Sequence, residues 1–321
     1  MNLSSEPSGR AGRPSSAAHL ALVAATALLT LALARPARAC SVCGCGDPLL
    51  TSSDPAALSG QLRLQLDSEY LSMRAGSEDE PGAHDVLTQW THRFNVAYRP
   101  MERMTLSATV PVVQKTLRSD ASGELRTLSD AAGLGDVEVS ARFAAWRAVA
   151  IGAARVQELA FSGGAALPTG DNGVRRDGAR IDEHGQPGTG AWGPFAGVHF
   201  RFEQHDFTTF ASLSGRVRTR NARGYTYGAA ALWSVHGQFF VRRRLVVDLG
   251  VDGRAAAADR DDAGAVPHTG GTVLSLAPGV YVNAAGKAWL FLRGQVPLLQ
   301  RLRGDQDVRP SLNAGLQLQL R

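Results

Sequence analysis

Leu62-Arg63-Leu64-Gln65-Leu66-Asp67 puts an apolar residue at every second place and a polar one between. That is the period of a β-strand, whose successive side chains point to opposite faces. The same period returns along the chain. Val137, Val139, Ala141 and Phe143 oppose Asp136, Glu138, Ser140 and Arg142. Leu245, Val247, Leu249 and Val251 oppose Asp248, Asp252 and Arg254. Leu312, Ala314, Leu316, Leu318 and Leu320 oppose Ser311, Asn313, Gln317 and Gln319. The pattern predicts twelve strands, near 60–73, 86–99, 102–116, 133–146, 154–167, 190–203, 207–219, 224–240, 243–257, 271–285, 287–300 and 309–321. Each is long enough to cross a bilayer, which takes roughly 9–11 tilted residues.

The connections carry a second signal. Long ones (74–85, 117–132, 168–189, 258–270, 301–308) alternate with tight ones such as Arg99-Pro100-Met101 and Ala285-Gly286. Short periplasmic turns and longer outer loops mark an outer-membrane barrel. A soluble sandwich also alternates along its strands. Its loops need not alternate, however, and its inner faces carry large apolar residues where this chain has Ala and Gly. The expected fold is all-β: a transmembrane antiparallel β-barrel of about 12 strands over 60–321, in the cell outer membrane, with both termini periplasmic and lipid around it. Tyr98, Trp146, Trp192, Phe200, Phe202, Tyr225, Tyr227, Phe239 and Trp289 near strand ends suit interfacial girdles.

Residues 1–39 read as a signal peptide. Arg10 and Arg13 precede an uncharged apolar run, Leu20 to Ala34, and then Ala37-Arg38-Ala39 offers a cleavage site. No long apolar run follows, which excludes a helical membrane protein. At 44% hydrophobic and 20% charged residues, wholesale disorder is excluded as well. The net charge of +5 rests on 32 arginines against two lysines, which reads as the codon bias of a GC-rich genome rather than as a nucleic-acid footprint. The removed segment holds four Arg and one Glu, so most of that excess goes with it. No Arg-rich helix or basic patch interleaved with aromatics is present, so no nucleic-acid partner is expected.

Residues 40–59 form a periplasmic N-terminal segment that opens Cys40-Ser41-Val42-Cys43-Gly44-Cys45. Four readings stand side by side: a disulfide with one thiol over, a soft-metal site for copper or zinc on Cys40, Cys43 and Cys45, lipid on Cys40, or a tether to a periplasmic partner. Gly44 stands where covalent haem would need His.

Several phrases resemble the outer-membrane family labelled MetA-pathway of phenol degradation. They are Tyr98-Arg99-Pro100 with Thr105-Leu106-Ser107 and Thr109-Val110-Pro111, then Gly133-Leu134-Gly135-Asp136-Val137, Leu167-Pro168-Thr169-Gly170-Asp171, and Gly188-Thr189-Gly190. The resemblance covers roughly residues 95–200. It implies a channel or transporter barrel and no catalytic residues. Read from the residues alone, these words are strand punctuation, with Pro111 a kink near the outer rim.

Function turns on the lumen face. By alternation Arg63, Arg93, Arg142, Arg216, Arg218, Asp136 and Glu138 line it, with Lys115, Arg201, Arg254, Arg293, Arg301, Asp67, Glu69, Glu158, Asp248 and Asp252. The surplus is cationic, and inward Gly and Ala leave room. The expectation is a channel or transporter for a small solute, anionic or aromatic, with Arg216 and Arg218 as its chief contacts. The alternative is a non-conducting structural or partner-bound barrel, whose mixed charges pair across the lumen and plug it. An enzyme is a third reading. Neither a zincin-like His pair nor the His-x-Ser of barrel phospholipases occurs. The acidic groups Glu78-Asp79-Glu80, Asp171-Asn172 and Asp259 to Asp262 read as soluble outer loops or cation bridges.

Overall fold

The computed structural model describes residues 62–76, 84–119, 126–242 and 244–320. The predicted signal peptide, the Cys segment and Glu78-Asp79-Glu80 lie outside them. The strands are β1 (Leu62–Gly76), β2 (His84–Met101), β3 (Met104–Ser119), β4 (Arg126–Leu134), β5 (Glu138–Ala150) and β6 (Arg155–Ala166). A small hairpin follows, β7 (Arg175–Arg176) and β8 (Ala179–Arg180). Then come β9 (Gly193–Gln204), β10 (Phe207–Arg216), β11 (Ala230–Arg242), β12 (Leu245–Ala256), β13 (Gly271–Ala285), β14 (Ala288–Leu302), β15 (Gln306–Val308) and β16 (Ser311–Leu320).

Each long strand pairs antiparallel with its neighbour, and β1 pairs with both β2 and β16. The sheet therefore closes on itself as a 12-stranded barrel. Two of the twelve staves are broken: β4 and β5 form the fourth, β15 and β16 the last. Closure removes the unpaired edges that no bilayer tolerates.

The faces are inverted relative to a water-soluble protein. Leu66 is 57% exposed while its neighbour Asp67 is 6% exposed. Phe94, Phe161, Leu213, Leu249, Leu290 and Leu312 are likewise exposed on the outside, and Arg93, Glu158, Asp248 and Gln317 are buried inside. A cation on the lipid face would cost about 2–4 kcal/mol at the midplane, so the apolar face turns outward. This wall makes the molecule an outer-membrane barrel. Tyr98, Phe143, Trp146, Phe200 and Phe239 are exposed toward the end with the short turns, and Trp90 and Trp192 toward the other. Tyr225 and Tyr227 depart from the expected girdle. They are 7% and 4% exposed and face inward.

Three strand limits also differ from the two-residue period. The fourth stave begins at Arg126 rather than at 133. In it, Val112 opposes Leu134 but Thr109 opposes Glu138, so one extra residue sits against Pro111. Such a bulge bends the strand and flips its faces. Leu134 is thereby turned outward, though strict alternation with Glu138 would put it inside. Pro111 thus marks an internal break in the wall, where the Gly135 N–H donates to its carbonyl at 2.9 Å. At the third departure, β10 stops at Arg216 and β11 starts at Ala230, leaving 217–229 unpaired between them.

A lumen crossed by an inward-folded loop

The inward side chains assemble into networks. Asp67 on β1 accepts from Arg93 at 2.8 Å, Asn95 at 2.9 Å, Gln65 at 3.1 Å and Asn313 at 2.9 Å, joining the first, second and last staves. Arg93 also pairs with Glu69. Around the periplasmic half, Arg142 donates to Glu158 at 2.6 Å and Arg201 pairs with Glu203. On the far wall, His236 lies between Asp248 at 2.7 Å and Asp252 at 2.9 Å, with Gln238 and Gln295 completing the two carboxylates. Toward the outer end Arg216 donates to Glu138 at 2.6 Å and lies over the Phe195 ring.

Six of the residues expected along the lumen belong to these charge pairs. Arg93, Arg142, Arg216, Arg218, Asp136 and Glu138 are held by partners of opposite charge. Arg63 is half-buried and also has a partner. A buried ion without a partner is costly, which explains the pairing.

The segment 167–192 is more than an outer solubility loop, although Asp171 and 175–179 are exposed as such a loop would be. It turns into the barrel mouth, and Ile181, Glu183 and Gly185 to Thr189 are buried there. Its anchors come from several walls. Lys115 on β3 donates to the carbonyls of His184 at 3.1 Å and Gln186 at 2.8 Å. Asn221 donates to the Thr189 carbonyl at 3.1 Å, and the Tyr227 hydroxyl to that of Glu183 at 3.3 Å. Tyr225 donates to Asp259 at 2.7 Å, with His184 Nε2 3.0 Å from the same hydroxyl. Gln186, 1% exposed, ties the loop to itself through Val174 and Ile181.

The loop enters and leaves at one point. The Asp136 carboxylate accepts from the backbone N–H of Gly170 and of Thr189, each at 3.0 Å, and from the Thr189 hydroxyl. Arg218 lies 3.6 Å from it and donates to Thr189 Oγ1 at 2.9 Å. Asp171 accepts from Leu134 N–H at 2.9 Å. Here three backbones cross with no room for side chains. A Cβ on Gly170 would lie 2.7 Å from Gly188 Cα and 2.7 Å from the Gly135 carbonyl carbon. The phrases around Asp136, Gly170 and Gly188, read from sequence as separate punctuation, are thus the parts of a single junction.

Asp259 belongs to this assembly rather than to an outer acidic loop. It is fully buried and accepts from Gly228 N–H at 2.7 Å and Tyr225. Burial pushes its carboxyl above the usual range, and His184, Gly228 and Tyr225 pull it partly back. Asp261 and Asp262 do lie outside: Asp261 caps a turn and Asp262 pairs with exposed Arg220.

The lumen also holds Ser162 Oγ, 2.8 Å from His199 Nε2. His199 Nδ1 has no hydrogen-bond partner among the described residues, so no carboxylate orients the ring as in a hydrolytic triad. His236 is 1% exposed, and both its ring nitrogens are held by carboxylates.

No protein-family model matches the chain, and no curated relative does. Among solved structures, an outer membrane channel from Pseudomonas putida F1 is similar at a TM-score of 0.62 and 14% identity. The match covers 83% of this chain and 98% of that one. The translocator domain of the autotransporter NalP from Neisseria meningitidis is similar at 0.49 and 15% identity, over 94% and 98% of the two chains. At such identities the likeness is one of fold.

Proposed function

We propose that this barrel is a narrow outer-membrane channel for a small solute, with the inward loop 167–192 as its constriction. The observation that carries the reading is the loop itself. A purely structural barrel has no need to fold a loop into its mouth and hold it from β3, the fourth stave and the 217–229 segment, with Asp259 3.8 Å from its His184. A loop so held sets the size of what passes, as inward loops do in wider barrels. The paired lumen charges leave only a mild selectivity, and the cationic surplus directs it toward anionic or polar aromatic solutes.

A non-conducting barrel is the competing reading. It is favoured by the near-complete burial of His236, Gln238 and Asp248, which fill one side of the lumen. Planar-bilayer recording separates the two. The wild type is expected to open in steady steps with weak anion preference. Arg216→Gln leaves Glu138 without its cation, so the reversal potential is expected to shift toward cation selectivity. Folded protein that gives a silent bilayer would establish the non-conducting barrel.

A further inference from the structure

We propose that the unpaired stretch of wall between β10 and β11 is a binding site and side port for a small amphipathic anion, an aromatic or short aliphatic carboxylate. This rests on the channel reading for its purpose but not for its geometry.

The register makes the gap. The last pair of the two strands is Arg216 with Ala230. Continued by one step, Val217 would face Ala229. Instead the chain after β10 follows β9, with Val217 N–H bonded to the Pro194 carbonyl at 3.0 Å and Thr219 N–H to that of Trp192 at 2.8 Å. The chain before β11 follows β12, with Ala257 N–H bonded to the Ala229 carbonyl at 2.6 Å and Thr226 exchanging bonds with Arg260. Among the described residues no backbone hydrogen bond joins 217–219 to 226–229. The inward pull of Tyr225 and Tyr227 on the loop accounts for the divergence.

A cavity of about 500 Å³ fills the gap. That is the size of a small-molecule site. It is lined at once by outward-facing residues, Val217 and Ala229, and by the inward-facing Arg218 and Tyr227. It therefore crosses the wall rather than denting one face. It lies beside Trp192, which is exposed on the outside at the level expected of the outer membrane interface. Ala257, Ala258 and Ala265 keep its walls apolar and leave the space unfilled. Its charged groups are all cationic: Arg218, Arg260 and Arg303 line it together with Thr226 and Tyr227, and no acidic residue does. Asp259, the carboxylate nearest in sequence, is turned to Gly228 and Tyr225 behind it. An apolar slot with guanidinium groups fits a molecule with one apolar body and one carboxylate, which arginine binds by a two-pronged contact. Such a solute partitions to a membrane interface and would meet the opening there.

Calorimetric titration of the detergent-solubilised full chain with benzoate tests this, with benzyl alcohol as the neutral analogue. Benzoate is expected to bind at least tenfold more tightly than benzyl alcohol. Arg260→Gln with Arg303→Gln is expected to remove that preference, and Ala258→Trp, which fills the slot, to abolish binding while the barrel still shows its heat-modifiable gel shift. Equal affinity for the two ligands, or benzoate binding untouched by Ala258→Trp, would overturn the proposal. A silent bilayer with benzoate bound would remove the channel and keep the site; a conducting barrel without binding would do the reverse.

Discussion

Asp136→Ala is expected to release the inward loop from the barrel mouth. The substitution strips Arg218 of its carboxylate and leaves the N–H groups of Gly170 and Thr189 without an acceptor in a buried place. Breaking a buried pair in this way costs about 3–5 kcal/mol. The barrel wall is held by its own ladder, so the loss falls on the loop. Limited proteolysis of the folded protein should then cut within 173–186, where the wild type resists, and unit conductance should rise severalfold. Asp136→Asn keeps an acceptor oxygen and should show a smaller effect. An Asp136→Ala barrel with a protected loop and unchanged conductance would show that Asp136 is not the anchor.

The second large effect is expected at the seam where the barrel closes. Asp67 gathers Arg93 and Asn95 from the second stave, Gln65 from its own and Asn313 from the last. Asp67→Ala leaves Arg93, 4% exposed, with Glu69 alone. Arg93→Leu leaves buried Asp67 and half-buried Glu69 without their cation. Each should lower the unfolding free energy by about 3–5 kcal/mol. Urea unfolding in lipid vesicles, followed by tryptophan fluorescence, measures it. The double variant should lose less than the sum of the two, because the sites share one interaction. Strict additivity would show that the seam is held by the backbone ladder alone.

Much of this fold was legible in the sequence. The two-residue period of Leu62 to Asp67 and of Ser311 to Leu320 states which face meets lipid, and the alternation of turn lengths states which way each strand runs. Faces could be read because they are local. Pairings could not: nothing in the neighbourhood of Arg216 names Glu138, 78 residues away. The departures share that cause. Leu134 faces lipid because one inserted residue flips the stave at Pro111, and a window of alternation does not reveal where the insertion falls. Tyr225 and Tyr227 looked like girdle residues from their place near strand ends. They turn inward because a loop from 41 to 44 residues earlier in the chain lies under them. The glycine words were visible and correctly ordered. That they meet at one crossing is a tertiary fact, carried by contacts 34 and 53 residues apart.

The central claim is that the inward loop limits passage through this barrel. It is tested most directly by replacing residues 173–186 with a short Gly-Ser link, which leaves Asp136, Gly170 and Thr189 in place. Single-channel recordings of the two folded proteins are then compared in the same bilayer. Unit conductance severalfold above wild type, with flicker reduced, is the predicted result. Equal conductance in the two would contradict it, since the constriction would then lie elsewhere in the lumen.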